Sequence, residues 1–238
     1  MRFLKKLIKF TFSFLFLIVV IIGGRLVWQG YEVYKQVTTE VPLGQKVMEI
    51  RSNPNYTNIE ELPQTYLDAV IAVEDRRYYQ HPGVDLLSIG RAVVVNLMEN
   101  ELAEGGSSIT QQLAKNMYFS QEKKFLRKAA ELFVAFELEK NYTKDEILEL
   151  YLNTIYFGSG YYCVYDAAVG YFGKEPWQMS AYESTLLAGI PNAPSVYSLT
   201  NSPELAGQRQ RIVLECMVEQ EYLSSYEAEN ILAEGNVG

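Results

Sequence analysis

The chain has 238 residues, a formal charge of −8 from 21 Lys and Arg against 29 Asp and Glu, and an apolar share of 48%. That length buries one sizeable core, or one domain plus an anchor. The charge argues against a general nucleic-acid binder, which needs a basic face, and one His with two Cys leaves no zinc constellation. Cys163 and Cys216 could pair outside a reducing compartment, but two cysteines do not make a disulfide framework. The charge is uneven. Lys115, Lys123, Lys124, Arg127, Lys128, Lys140 and Lys144 crowd the middle, and the last forty residues are acidic. A basic middle on an acidic protein fits a local anionic ligand, although a solvated face is the commoner cause of such a run.

In chain order, Arg2, Lys5, Lys6 and Lys9 precede an apolar run from Phe10 that extends through Gly23 and Gly24 to Trp28. It approaches the roughly 20 residues that a spanning helix needs. Arg25 is the one early cation after the run begins, so the positive-inside rule puts the N-terminus in the cytoplasm and the rest outside. A cleaved signal peptide is the rival reading. The run is long and Gly23-Gly24-Arg25 lacks a small-x-small cleavage site, which favours an uncleaved anchor over residues 1–28. Residues 29–61 read as a stalk: 31–37 can continue the first helix, 45–51 reads as a short extended piece, and Ser52-Asn53-Pro54-Asn55 marks a turn.

From Pro63 the pattern is helical. A helix over 63–74 puts Leu67, Val70, Ile71 and Glu74 on one face. Asp85 can cap a helix with Leu86, Ile89, Val93 and Leu97 on one face. A polar, Gly-bearing loop covers 99–107, and Ser108 with Gln111 forms a capping box opening 109–118. The next helix spans about 122–140 with Phe125, Ala129, Leu132 and Phe136 inward. Thr143 with Glu146 opens another, Gly158-Ser159-Gly160 breaks the chain, and a further helix covers about 162–172. Ser180 with Glu183, Ser202-Pro203, and Ser224 with Glu227 open the last three. No alternating strand pattern or repeat occurs, so the fold class is all-α: one domain over 62–238, its C-terminal helices within 202–235, on one N-terminal transmembrane helix.

Glu74 is the first chemical candidate. On an apolar face near a helix C-terminus, burial and the macrodipole both favour its protonated form, as a general base needs. The alternative is a helix-end acid paired with Arg76, Arg77 or Lys115. Gly105-Gly106-Ser107-Ser108 directly before a helix leaves free N–H groups that favour an anion, with Thr110, Gln111, Lys115 and Asn116 as nearby donors; an ordinary cap explains the same residues. Arg127 and Glu131, four apart, share a helix face, either as an anion holder with a second carboxylate or as a surface pair. Ser120-Gln121-Glu122-Lys123 matches the Ser-x-x-Lys pattern of penicillin-reactive enzymes, but no Lys-Thr-Gly follows. His81 has no Ser or Cys partner indicated and reads as a loop buttress.

Five ordered blocks together resemble the family 51 glycosyltransferases, the peptidoglycan glycan polymerases. They are Glu74 to Asp85, Gly106 to Asn116, Arg127 to Glu131 with Glu137-Leu138-Glu139, Ile147 to Asn153 with Tyr156-Phe157-Gly158 and Tyr171-Phe172-Gly173-Lys174, and Glu183 with Leu187 to Pro191 and Ala193-Pro194. They lie within 62–200. The resemblance implies a lysozyme-like helical fold, a monofunctional form without a transpeptidase domain, and an extracytoplasmic site at the bacterial plasma membrane. It implies lipid II and the nascent glycan chain as substrates, and Glu74 as the base on the acceptor 4-hydroxyl in an inverting transfer that forms β-1,4 bonds and releases undecaprenyl pyrophosphate. Lys115, Lys123, Arg127 and Lys128 would meet the pyrophosphate. Glu131 takes the family's second acidic position, and Ser107, Gln111, Gln112 and Asn116 line up with cleft positions. Whether a divalent cation, Mg2+ or Mn2+, shares the task is left open, and no organic cofactor is implied. Transpeptidases and other wall-synthesis proteins are the implied partners. A membrane-anchored scaffold with a decayed site and a muramidase-like hydrolase are the competing functions.

Three positions depart from the family pattern. Tyr78 stands for Phe and Ser108 for Thr. Cys163 stands for Gly, where a side chain would strain a left-handed backbone or crowd a contact. Part of the stretch 94–125 is also expected to dip into the lipid interface, with Leu97, Met98, Leu102, Met117, Tyr118 and Phe119 supplying the apolar contact.

Overall fold

The computed structural model describes residues 2–99, 106–119 and 124–235. Within them the chain forms helices and turns only. In order these are α1 (Arg2–Glu40), α2 (Leu43–Arg51), α3 (Gln64–Glu74), α4 (Leu86–Glu99), α5 (Ile109–Tyr118), α6 (Lys124–Asn141), α7 (Lys144–Leu152), α8 (Val164–Phe172), α9 (Ala181–Gly189), α10 (Pro194–Tyr197), α11 (Pro203–Glu219) and α12 (Ser225–Glu234). The expected capping boxes form at the starts of α5, α7, α9 and α12. In each, a Ser or Thr side chain accepts from the backbone N–H three residues on, and that residue's side chain reaches back to the cap, which removes two orphan donors at once.

Helix α3 is central. Tyr66, Leu67, Ala69, Val70, Ile71 and Ala72 are all buried, so it is apolar nearly all round. It packs on α9 and α11, while α5 packs on α6 and α7. Leu113, Val134, Leu138, Ile147, Leu148, Tyr151, Leu187 and Val213 join it in one core.

Two stretches differ from the sequence reading. Residues 29–61 are not a free stalk. The first helix continues unbroken to Glu40 and packs on α6. The stretch read as extended is α2, because Leu43 and Val47, four apart, bury one helical face in the core. Beyond it, Arg51 pairs with Glu146 at 3.1 Å. Tyr56 Oη and Ile59 N both donate to Glu149, and Thr57 exchanges two hydrogen bonds with Asn153. The inward face of α6 is the second difference: Ala130, Val134 and Leu138 are buried, whereas Phe136 is half exposed. This helix lies between the core and α1, so it carries two apolar stripes and periodicity alone selects the wrong one.

One helix among the described residues is long and apolar enough to cross a membrane, with a mean hydropathy of 2.3 over its best window. Phe10, Phe12, Phe14 and each large apolar residue from Leu15 to Ile22 are exposed along it, as are Leu26, Val27 and Trp28. Of the interfacial contacts expected in 94–125, Met117 and Phe119 are instead core residues, and Tyr118 donates its hydroxyl to Val41 O. The strong amphipathicity of α5 is spent on the core. Among the described residues, Leu86 and Leu87 at the start of α4 are exposed apolar side chains nearby. Leu102 lies outside the described residues, and the side chains of Leu97 and Met98 are not among those described.

Candidate active site

The end of α3, the first turns of α5 and α6, and one face of α11 enclose a cleft of about 630 Å³. Glu74 is the last residue of α3. Its Oε2 accepts from Gln112 Nε2 at 2.7 Å, and Gln112 Oε1 accepts from the hydroxyl of Tyr151 at 3.2 Å. Tyr151 is fully buried, so a core residue orients the glutamine that orients the acid. Glu74 Oε1 is buried without a partner. Burial pushes the Glu74 carboxyl above the usual carboxylate range; the Gln112 hydrogen bond and the Arg209 charge oppose this, and the Asp75 charge adds to it. Glu74 makes none of the helix-end ion pairs considered from sequence. Arg76 faces Glu219 at 3.7 Å, Arg77 faces Asp85 at 3.3 Å, and Lys115 lines the cleft as an exposed side chain.

Asp75 fixes the chain just after the acid. It is buried, faces His81 Nε2 at 2.9 and 3.0 Å, and accepts from Ile109 N at 3.0 Å. This carboxylate therefore ties the end of α3 to the start of α5. Gly83 turns the loop behind it at φ +84, where a Cβ would lie 2.9 Å from Glu139 Cγ, and its carbonyl accepts from the Ser108 hydroxyl. Asp85 caps α4. Although burial opposes it, hydrogen bonds from the Ser88 hydroxyl and the Ser88 and Leu87 N–H groups, with the Arg77 charge, hold its carboxyl below the usual range.

Across the cleft, buried Glu131 is ion-paired with Arg127 Nε at 3.0 Å and Lys128 Nζ at 3.1 Å, although its Oε1 makes no hydrogen bond, and Lys128 donates to Ser107 Oγ at 2.7 Å. Its carboxylate holds the two cations in place rather than standing free as an acid. Gln111 Oε1 serves the α5 cap, leaving its Nε2 buried and unpartnered at the cleft wall.

Of the residues expected in the site, Glu74, Ser107, Ser108, Gln111, Gln112, Lys115, Arg127, Lys128 and Glu131 share this one cleft. Thr110 does not: it is fully buried and donates to Glu139 at 2.6 Å, because the second residue of α5 faces the inside. Asn116 is exposed and does not line the cleft. Lys123 lies outside the described residues, as does Gly105.

Arg209 was missed by sequence reasoning, and so was Cys216 beside it. Both stand on α11 and line the cleft. Arg209 reaches it across Gly189 of α9, where a Cβ would sit 2.9 Å from Arg209 Cγ. No local motif marks Arg209; only the packing of α11 on α3 and α9 does.

The departures are accommodated. The Tyr78 hydroxyl donates to Lys144 O, with Lys144 Nζ 4.5 Å from the ring centroid. Cys163 is extended (φ −154, ψ 166) rather than left-handed, so it carries no strain. Its Sγ caps α8 by accepting from Asp166 N at 3.4 Å. Burial pushes that thiol up to about 11, and neither cysteine forms a disulfide.

Among the described residues the cleft carboxylates other than Glu74 are already engaged. Asp75, Asp85 and Glu131 are each committed to N–H groups or cations, and no three His, Cys, Asp or Glu side chains converge among the described residues.

In this helical domain a buried acid with a raised carboxyl shares one cleft with Lys115, Arg127, Lys128 and Arg209. The transglycosylase family profile matches residues 43–218, and the chain belongs to that family. A protein of Cupriavidus necator named as a transglycosylase is 39% identical over 218 residues, 92% of this chain and 93% of that one. Penicillin-binding protein 1F of Bacillus subtilis is 44% identical over 176 residues, and penicillin-binding protein 1A of Aquifex aeolicus 43% over 169. The chain spans about a quarter of those two, 25% and 23% of their lengths, against 74% and 71% of its own. The crystal structure of penicillin-binding protein 1A from Haemophilus influenzae aligns with 74% of this chain and 17% of that one, at 24% identity and a TM-score of 0.44.

Proposed function

We propose that this protein is a peptidoglycan glycosyltransferase that lengthens glycan chains from lipid II at the outer face of the bacterial plasma membrane. Glu74 takes the proton of the acceptor sugar's 4-hydroxyl. The freed oxygen attacks the anomeric carbon of the growing chain from the side opposite its phosphate. A β-1,4 C–O bond forms, the C–O bond to the pyrophosphate breaks, and undecaprenyl pyrophosphate leaves with the electron pair. Lys115, Arg127 and Lys128 meet the charge that develops on that leaving group, where fixed cations lower the barrier most. Glu131 acts through the two cations it holds. The observation that carries the reading is the unpartnered, buried Glu74 oxygen in one cleft with those three cations.

A divalent cation used in the reaction arrives on the substrate's pyrophosphate. The N-terminal helix spans the membrane with its basic end in the cytoplasm. Transpeptidases that cross-link the product are the partners this chemistry calls for.

Incubating the full chain with fluorescent lipid II tests the reading. Wild type is expected to form polymer. Glu74→Gln is expected to lose on the order of 100-fold or more, the scale of a general base's contribution. Equal polymer from both proteins would remove Glu74 from its role, and no polymer from wild type across detergents and divalent metals would favour the scaffold.

A further inference from the structure

Helix α1 changes surroundings abruptly. Trp28 is 65% exposed, while Gly30, two residues on, is buried against α6. A Cβ on Gly30 would lie 2.4 Å from Ala129 Cβ, 3.0 Å from Ala129 C and 3.1 Å from Ala130 N. No side chain fits there without moving the two helices apart. One turn further along, the rings of Tyr31 and Tyr34 close on Phe133 at 5.3 and 5.7 Å, and the end of the helix is held by the Tyr118 hydroxyl on Val41 O. Gly30 thus touches the same turn of α6 that presents Arg127, Lys128 and Glu131 to the cleft.

The exposed stretch from Phe10 to Trp28, apolar except for Thr11, Ser13 and Arg25, is about 28 Å long at 1.5 Å per residue, close to the roughly 30 Å hydrocarbon core of a bilayer; Arg25, one turn before Trp28, is near enough to the end to extend its charge to the headgroups. Trp is enriched where hydrocarbon meets headgroups. Gly30 then lies about 3 Å beyond that boundary, inside the polar layer of roughly 5–8 Å on each side.

We propose that Gly30 is a positioning residue whose bare contact with Ala129 sets the Arg127–Lys128–Glu131 turn at the phosphate layer of the membrane. The cations there meet a lipid-borne pyrophosphate without drawing its tail out of the bilayer. The purpose rests on the function proposed above; the height does not.

The test uses the full chain in vesicles, with two readouts. A nitroxide on Lys128→Cys, in a Cys163→Ser, Cys216→Ser background, reports depth by electron paramagnetic resonance. It is expected in the headgroup layer, and shifted outward by Gly30→Leu. Kinetics then compare lipid II in the bilayer with a short-tailed, water-soluble analogue. Gly30→Leu is expected to lower the bilayer rate tenfold or more and the soluble rate less than twofold, with Gly30→Ala intermediate. Adding Ala129→Gly to Gly30→Ala is expected to recover most of the loss. Gly24→Leu, at a position with nothing within 4 Å, leaves both rates unchanged. A label in bulk water, no shift with Gly30→Leu, or equal loss on both substrates overturns the proposal. A wild type that polymerises neither substrate overturns the proposed function instead, and the depth measurement still decides the height. Should Gly30→Leu not fold, Gly30→Ala and its Ala129→Gly partner decide alone.

Discussion

Replacing Glu74 by Gln is expected to make the protein more stable while disabling it. When ionised, Glu74 keeps one buried oxygen without a partner, set against one hydrogen bond from Gln112. A buried unsatisfied polar atom costs about 1–3 kcal/mol, and more when charged; a hydrogen bond to a charged group returns about 1.5–3. The raised carboxyl says that the cost wins. Because its folded pKa lies above its unfolded one, Glu74 favours the folded state below the unfolded value, and that contribution is lost as pH rises through the folded value. Above the unfolded value the ionisable carboxyl is therefore a liability, whether the folded state holds it charged or protonated. A neutral amide of the same shape removes it, and a gain of about 1 kcal/mol corresponds to roughly 2–4 °C in Tm for a domain of this size. Thermal melts of wild type and Glu74→Gln from pH 8 down to pH 4 measure the difference. The gap should close in acid, where wild type is already protonated. A variant no more stable than wild type at pH 8, or a gap that persists at pH 4, would refute the burial argument.

Arg209→Gln removes a charge that holds the Glu74 carboxyl down, so the acidic limb of the pH–rate profile should move to higher pH; an unmoved limb would mean that solvent screens the pair. Glu131→Ala leaves Arg127 and Lys128 without their anchor. Breaking a buried pair costs about 3–5 kcal/mol, and partial exposure of the cations at 24% and 44% lowers that to about 2–3, read as a fall in Tm. If Glu131 only holds cations, its loss lowers activity without moving either limb of the pH profile, and a shifted limb would give it a proton-transfer role. Gly83→Ala combines a left-handed backbone with a 2.9 Å contact on Glu139. About 1–3 kcal/mol of destabilisation by chemical denaturation is expected, and a loss below about 0.5 kcal/mol would show that the loop relaxes freely.

What could be read from the sequence follows from how local each signal is. The capping boxes of α5, α7, α9 and α12 are spelled within four residues, so they could be placed before any packing was known. Glu74 was legible as well, because Leu67, Val70 and Ile71 fix its face within two turns of one helix. Arg209 was not, since it lies 135 residues further on and reaches the acid only where Gly189 lets α11 lie close to α9. Thr110 was misjudged because a helix N-terminus suggests a ligand for all its neighbours, whereas Thr110 lies on the buried face with Ile109, Leu113, Ala114 and Met117. The α6 face was misjudged because two partners compete for one helix.

The belt from Arg51 to Ile59 around α7, with the buried Leu43 and Val47 before it, bears on where the chain can be cut. Trimming back to residue 62 would strip two side chains from the interior and leave the carboxylate of Glu149 and the amide of Asn153 stranded. Starting at residue 41 would still bare Ala129 and Phe133. A fragment free of the exposed apolar stretch should begin at Gln29, the residue after exposed Trp28.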